Sequence, residues 1–158
     1  MDKQEFKAAF LEMMHNRENP FHPFVWINGE PEFGENVYIG GFSEVNAKGA
    51  RVYIGDNCDI ASFVAINVAD SHMRVLGLAE QKACQDIIIE HNVFIGSHCV
   101  ILGGVYIGHH SVIGAGSVVR NCKIPPYSLA VGNPLMIKQG YYREKYELGK
   151  SSKGDDSA

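Results

Sequence analysis

A chain of 158 residues with 46% hydrophobic composition and 17 glycines has room for one core and suits a turn-rich β architecture. Its net charge of -4 excludes a general nucleic-acid binder, which needs a basic footprint, so any phosphate-bearing ligand must find a local basic patch. No stretch reaches the roughly 18 apolar residues of a membrane span, and the opening twenty residues lack a signal peptide's apolar core and cleavage site, so a cytoplasmic location is expected.

Residues 1–22 are expected to form a helical cap. Phe6, Phe10, Met13 and Met14 recur on a helical period, Asp2 can cap the first turn, and Asn19-Pro20 supplies a stop. This helix is expected to pack as a lid on the start of the central region.

Residues 23–138 change rhythm. Ile39 and Val45 are six apart; after a slip of three come Ile54, Ile60 and Ile66; then Ile89, Ile95, Ile101, Ile107, Ile113 and Val119 succeed one another without a slip. Four places after these anchors stand compact residues: Ser43, Cys58, Val64, Val93, Cys99, Val105, Ser111 and Ser117, until Lys123 departs. A period of six fits neither a helix at 3.6 nor a half-buried strand at two, and matches the hexapeptide class of β-solenoid. Three hexads close one triangular coil, which stacks Ile89 on Ile107, Ile95 on Ile113 and Ile101 on Val119. Glycine comes directly after the anchor at Gly96, Gly108 and Gly114, where a tight corner calls for backbone freedom. Cys58 and Cys99 fall on the compact interior position and no CxxC spacing exists, so the four cysteines read as structural, reduced thiols.

Between Ile66 and Ile89 the count fails. Residues 70–86, "DSHMRVLGLAEQKACQD", are too many for a corner and must leave the coil as a loop. The loop opens on Asp70-Ser71-His72. A histidine there can take a proton from a bound hydroxyl or amine attacking an activated carbonyl, with Asp70 or a backbone carbonyl fixing its tautomer. Residues 139–158 are expected to give a short helix from "KQGYYREKYELGK" and then a disordered tail, "SSKGDDSA", which has no apolar anchor.

The hexads, "VADSH", "NVFIGSHCVILGGVYIGHHSVIGAGSVV" and "IPPYSLAVGNPLMIK" together resemble the hexapeptide-repeat, left-handed parallel β-helix acetyltransferases. The match is nearest to the galactoside, maltose and bacterial surface-polysaccharide enzymes and spans residues 33–138. The resemblance implies an all-β solenoid wound left-handed, with short terminal helices. It implies acetyl-CoA as co-substrate, no required metal, and a homotrimer with its sites between subunits. The activity implied is direct acetyl transfer to a hydroxyl or amino group of a sugar, in surface-polysaccharide biosynthesis. His72 takes the place of the family's general base, and Ser97 and Ala115 carry over as cofactor contacts. Arg120 and Lys138 are the cations nearest the CoA phosphates, although relatives often have Thr-Lys where this chain has Arg120-Asn121, and an arginine where it has Leu135 and Met136. Asp70 and Asn46, with Glu44, are candidates for binding sugar hydroxyls. His98 is a candidate for substrate binding or proton relay, and Phe94 stands where galactoside-type relatives place a tryptophan.

Two other classes compete. Solenoids of γ-type carbonic anhydrases bind metal through histidines, two of them spaced His-x4-His, and His91, His98, His109 and His110 invite that reading. Here six residues separate His91 from His98 and ten separate His98 from His109, and His91 and His109, eighteen apart, should simply stack, so no metal site is assigned. The remaining alternative is a non-enzymatic trimeric scaffold.

Overall fold

The computed structural model describes residues 1–16 and 18–154. From Trp26 onward the chain winds as a three-sided prism of about five coils, each side a sheet of parallel strands. The first face stacks Trp26–Gly29, Glu44–Ala47, Ala65–Asn67, Val100–Leu102 and Val118–Val119. The second stacks Glu32–Phe33, Val52–Ile54, Ile87–Ile89, Val105–Ile107 and Lys123–Ile124. The third stacks Tyr38–Ile39, Asp59–Ile60, Phe94–Ile95, Val112–Ile113 and Leu129–Val131, and ends on an antiparallel strand, Met136–Lys138. This architecture agrees with the left-handed β-helix implied by the resemblance.

The hexad anchors fill the prism. Ile54, Ile60, Ile89, Ile95, Ile101, Ile107, Ile113 and Val119 are fully buried, and the compact residues four places on, from Ser43 through Ser117, are buried beside them. Ile107 lies over Ile89, Ile113 over Ile95 and Val119 over Ile101, as the spacing predicts. Burial of each aliphatic side chain contributes about 2 kcal/mol, and the buried serines find oxygen partners: Ser111 Oγ donates to the Pro125 carbonyl at 3.1 Å. The four cysteines are free thiols, with Cys58 and Cys99 buried.

The glycines after the anchors have a different reason from the one expected. The left-handed residues lie three places after the anchor: Asn57, Phe63, Asn92, His98, Gly104, His110 and Gly116 all have positive φ. The chain turns there. Gly96 instead lies hard against the next coil, where an added Cβ would sit 2.6 Å from the Ala115 nitrogen. Its hydrogen side chain permits coil-to-coil contact.

Both departures from the hexad count fall at one corner, between the first and second faces. The three-residue slip lies at residues 48–50, with Gly49 at φ +104. The loop leaves one coil higher. An antiparallel pair, Ala69–Asp70 with Ala83–Cys84, closes its neck, and the Gln85 amide donates to the Val68 carbonyl at 3.1 Å. Cys84 packs back on Gly49, so the slip supports the loop. Ile54 pairs with Ile89 across the interruption, and the coil re-enters in phase.

Helix α1 spans Lys3–Met13, and Asp2 caps it as expected, its carboxylate accepting from the Gln4 and Glu5 amides at 2.8 Å each. The helix ends well before Pro20, with His15 in the left-handed region. Its inward face is Leu11, which is buried, and Phe10, packed edge-on against Phe24 at 4.9 Å; Phe6, Met13 and Met14 are exposed. One cation and two carbonyls outrank the apolar pattern here: Lys7 Nζ donates to the Asn19 and Phe21 carbonyls at 2.7 and 2.6 Å, which sets how the helix lies.

At the other end α3 spans Arg143–Gly154 and so runs into the segment expected to be disordered; residues 155–158 of that segment lie outside those described. The Tyr142 amide donates to the Tyr127 carbonyl, and Tyr146 packs on His110 with ring centroids 4.5 Å apart, holding α3 to the corner between the second and third faces.

Candidate active site

His72 begins a single helical turn, α2 (His72–Val75), at the mouth of the loop. Its backbone amide donates to Asp70 Oδ1 at 3.1 Å, and its Nδ1 lies 2.5 Å from the same oxygen. An ionised carboxylate only accepts, so the ring proton sits on Nδ1 and the Nε2 lone pair is left to act as a base. The Asp70 carboxyl is held below the usual carboxylate range, first by the side-chain bond from His72, then by its backbone bond, with weaker help from the charge of Arg120. Both side chains are more than half exposed, so a ligand can reach them.

The pair borders a cavity of about 710 Å³ between the loop and the solenoid. Val68, Leu102 and Gly103 line it from the coils, Val75 and Leu76 from α2 and its C-cap, and Gln85, Arg120 and Asn121 complete the lining. Asp70, His72 and Arg120, singled out from the sequence for separate reasons, therefore meet in one place. Gln85 was missed: it carries no titratable group, and only the fold brings the loop's return beside the last corner.

The other candidates lie elsewhere. Ser97 and Ala115 come just after strands of the third face, and the Ser97 carbonyl accepts from the Gly116 amide at 2.9 Å. Ala115 and Gly116 are exposed, and nothing lies within 4 Å of where a Gly116 Cβ would stand. These small residues leave an open strip at the corner opposite, across the first face, from the one holding His72. Lys138 is on the antiparallel strand, with Nζ 5.7 Å from the Tyr141 ring, and Lys145 approaches the same ring at 4.7 Å. Asn46 belongs to an asparagine ladder: its Nδ2 donates to Asn67 Oδ1 at 3.1 Å, and its Oδ1 accepts from the Lys48 amide. Asn67 Oδ1 also accepts from the Ala69 amide, so this ladder braces the loop's root and does not line the cavity. His98 caps a stack of rings, Phe24, Phe42, Phe63 and His98, with centroids about 5 Å apart and planes within 8°. Phe94 borders a separate groove beneath α3.

The remaining histidines gather at the α3 corner. His91 and His109 stack at 5.0 Å and 7°, as their spacing predicts, and His110 stands perpendicular to both. Stacked imidazoles turn faces toward each other, whereas a metal needs converging lone pairs. Among the described residues no group of three or more His, Cys, Asp or Glu is arranged to hold a metal ion.

Residues 86–121 match the bacterial transferase hexapeptide family of six repeats. The chain is 38% identical over 133 residues to the galactoside O-acetyltransferase of Escherichia coli K12, a match that covers 79% of this chain and 64% of that enzyme. The chain thus spans a little under two thirds of that relative's length. Among solved structures it is similar to a galactoside acetyltransferase in complex with coenzyme A, at 29% identity and a TM-score of 0.56, covering 92% of this chain and 86% of the other. It is also similar to the polySia-specific acetyltransferase NeuO, at 30% identity and a TM-score of 0.59, covering 73% and 61%. With anchors in register through every coil and these relatives beside it, the chain belongs to the hexapeptide-repeat transferase family.

Proposed function

We propose that this protein transfers an acetyl group from acetyl-CoA to a hydroxyl or amino group of a sugar, acting in the cytoplasm on precursors or units of a surface polysaccharide. The observation that carries the reading is the Asp70–His72 pair, oriented with Nε2 free at the rim of the cavity where the hexads break. The galactoside enzymes among the relatives support a sugar acceptor, and the coenzyme A complex supports the donor. NeuO supports a polymeric sugar context.

In this mechanism His72 Nε2 takes the proton from the acceptor oxygen or nitrogen as that atom attacks the thioester carbonyl carbon. Asp70 keeps Nδ1 protonated and steadies the imidazolium. Backbone N–H groups beside the cavity hold the developing oxyanion. The C–S bond then breaks, and His72 returns its proton to the departing thiolate, leaving free CoA and the acetylated sugar with no acyl-enzyme.

The strip at Ser97 and Ala115 suits an extended pantetheine arm, since small side chains leave backbone groups accessible to its amides, and Lys138 offers a cation for phosphate charge. That strip and His72 lie at different corners of one prism. Pairing the strip of one chain with His72 of another would complete the site, which supports a homotrimer with sites between subunits.

Screening sugars for released CoA with a free-thiol reagent tests the reading directly. His72→Ala should lower turnover by about two to four orders of magnitude while CoA binding persists. Turnover equal to the wild type would remove His72 from the mechanism, and no CoA release with any sugar would remove the activity.

A further inference from the structure

A second groove, of about 450 Å³, lies between the third face and α3. Phe94, 41% exposed and without a ring partner among the described residues, lines it from the solenoid, and Tyr127, Tyr142 and Tyr146 line it from the corner and the α3 side. Asp59 pairs in register with Phe94 on the neighbouring coil, and its exposed carboxylate makes no hydrogen bond and no ion pair among the described residues. Asn57 and Asn92 border the same edge. Asn57 Oδ1 accepts from Asn36 Nδ2 at 2.9 Å and Asn92 Oδ1 accepts from His91 Nδ1 at 2.9 Å, so each asparagine keeps its NH2 group to donate. Lys145 completes the lining, with Nζ 5.6 Å from the Tyr142 ring. The groove thus joins an open aromatic ring, a free carboxylate and free amide donors within one short stretch of the third face.

We infer that this groove is a distal acceptor subsite, which binds an uncharged sugar ring further along an oligosaccharide whose end ring is acetylated. The inference rests on the acetyltransferase reading and narrows its acceptor to a chain of several sugars. A pyranose has an apolar C–H face and a rim of hydroxyls, so it needs an aromatic ring beneath it and both acceptors and donors around it. Phe94 supplies the ring, Asp59 accepts from neighbouring hydroxyls, and Asn57 and Asn92 donate to them. One carboxylate and one ammonium line the groove, so an acidic sugar meets Asp59 and a basic one meets Lys145, whereas a neutral ring meets no like charge. The position agrees with the chemistry. Phe94 and Ser97 are three residues apart on one extended stretch, about 10 Å, so an acceptor held for transfer beside the Ser97 strip has the groove within reach of its next rings.

The test compares methyl glycosides with tetrasaccharides in three uncharged series, β-1,4-linked galactose, glucose and N-acetylglucosamine, by calorimetric titration of the wild type and of Asp59→Ala. In at least one series the tetrasaccharide should bind at least about tenfold more tightly than the methyl glycoside, and that ratio should fall close to one in Asp59→Ala. Lys145→Ala, which leaves the strands of the third face untouched, should lower it as well. Equal affinity for short and long sugars in all three series, or a ratio that survives both substitutions, overturns the inference. So does tighter binding of tetragalacturonate than of galactotetraose, or a loss of CoA affinity in Asp59→Ala with the sugar ratio unchanged, which would make the groove part of the donor site. CoA release from acetyl-CoA, measured with the same sugars, separates the two readings. Tetrasaccharide binding with no release from any sugar keeps the subsite and removes the acetyl transfer, whereas release at equal kcat/KM from short and long sugars keeps the transfer and removes the subsite.

Discussion

At His72 the fold adds one thing the sequence leaves open, the identity of the orienting group. Asp70 sits two residues back, and the turn that begins α2 brings its carboxylate to both the amide and the ring of His72. The spacing D-x-H thus works as a local clamp. Asp70→Asn keeps the size but can present an N–H to Nδ1, which favours the wrong tautomer; kcat should fall by about ten- to a thousandfold, measured by single-turnover kinetics with CoA binding as the control. The charge state rests on the same bonds. Because the Asp70 carboxyl is shifted below its ordinary value, its favourable contact is complete above the unfolded carboxyl's value and is lost only as pH falls through the lower folded one. Moderate acid therefore leaves the Asp70 carboxylate in place. His72 and Asp70 were legible from the broken hexad count; Gln85 was not, since nothing in its local sequence distinguishes it from other polar corner residues, and Asn121 drew notice only beside Arg120, where relatives carry Thr-Lys.

For the coils, the anchors were legible because a strict period of six has no other common use, and the interior serines and cysteines came with it. The role of the glycines was not, because a sequence shows that a residue is small without showing whether torsion or contact demands it. Gly96→Ala separates the two. Its added methyl would strike the Ala115 backbone, which cannot swing aside as a flexible side chain would, so urea unfolding should show a loss of about 1–3 kcal/mol. Ile107→Ala, in the middle of its column, should cost about 2–5 kcal/mol in the same measurement. The α3 corner has its own dependence. Burial first, then the neighbouring His109, His91 and Lys150, push the His110 imidazole below its ordinary value, and Tyr127 and Tyr146 cover it. A histidine depressed in this way stabilises the folded form above its unfolded value of 6.5, and that contribution fades as pH falls below it, because the unfolded chain then binds the proton more readily. The protection of α3 amides against hydrogen exchange, corrected for the pH dependence of intrinsic exchange, should accordingly fall as pH drops below 6.5, and His110→Phe should flatten the change.

Across the whole molecule, the proposed cofactor strip at Ser97 and Ala115 and the proposed base His72 occupy separate corners of the prism, and this arrangement makes a mixing experiment decisive. His72→Ala and Ala115→Trp each disable one half of the site. If neighbouring chains complete each other, co-expressed mixed trimers recover a fraction of wild-type CoA release that neither variant shows alone. If one chain holds a whole site, every chain in the mixture carries a defect and no activity returns. Light scattering on the same samples should give about three times the 17.4 kDa of one chain. The overall winding was legible in the spacing; how copies meet was not, because exposed residues obey no period.

The in-phase return of the coil after residues 70–86 has a broader meaning. Ile89 lands on Ile54 and an antiparallel neck closes the excursion, so the stem's register is fixed by pairing below the loop. Half of the pocket wall is in effect a cartridge, and grafting a different excursion between Val68 and Gln85 is a way to change which acceptor is read while the barrel of isoleucines beneath goes on folding as before.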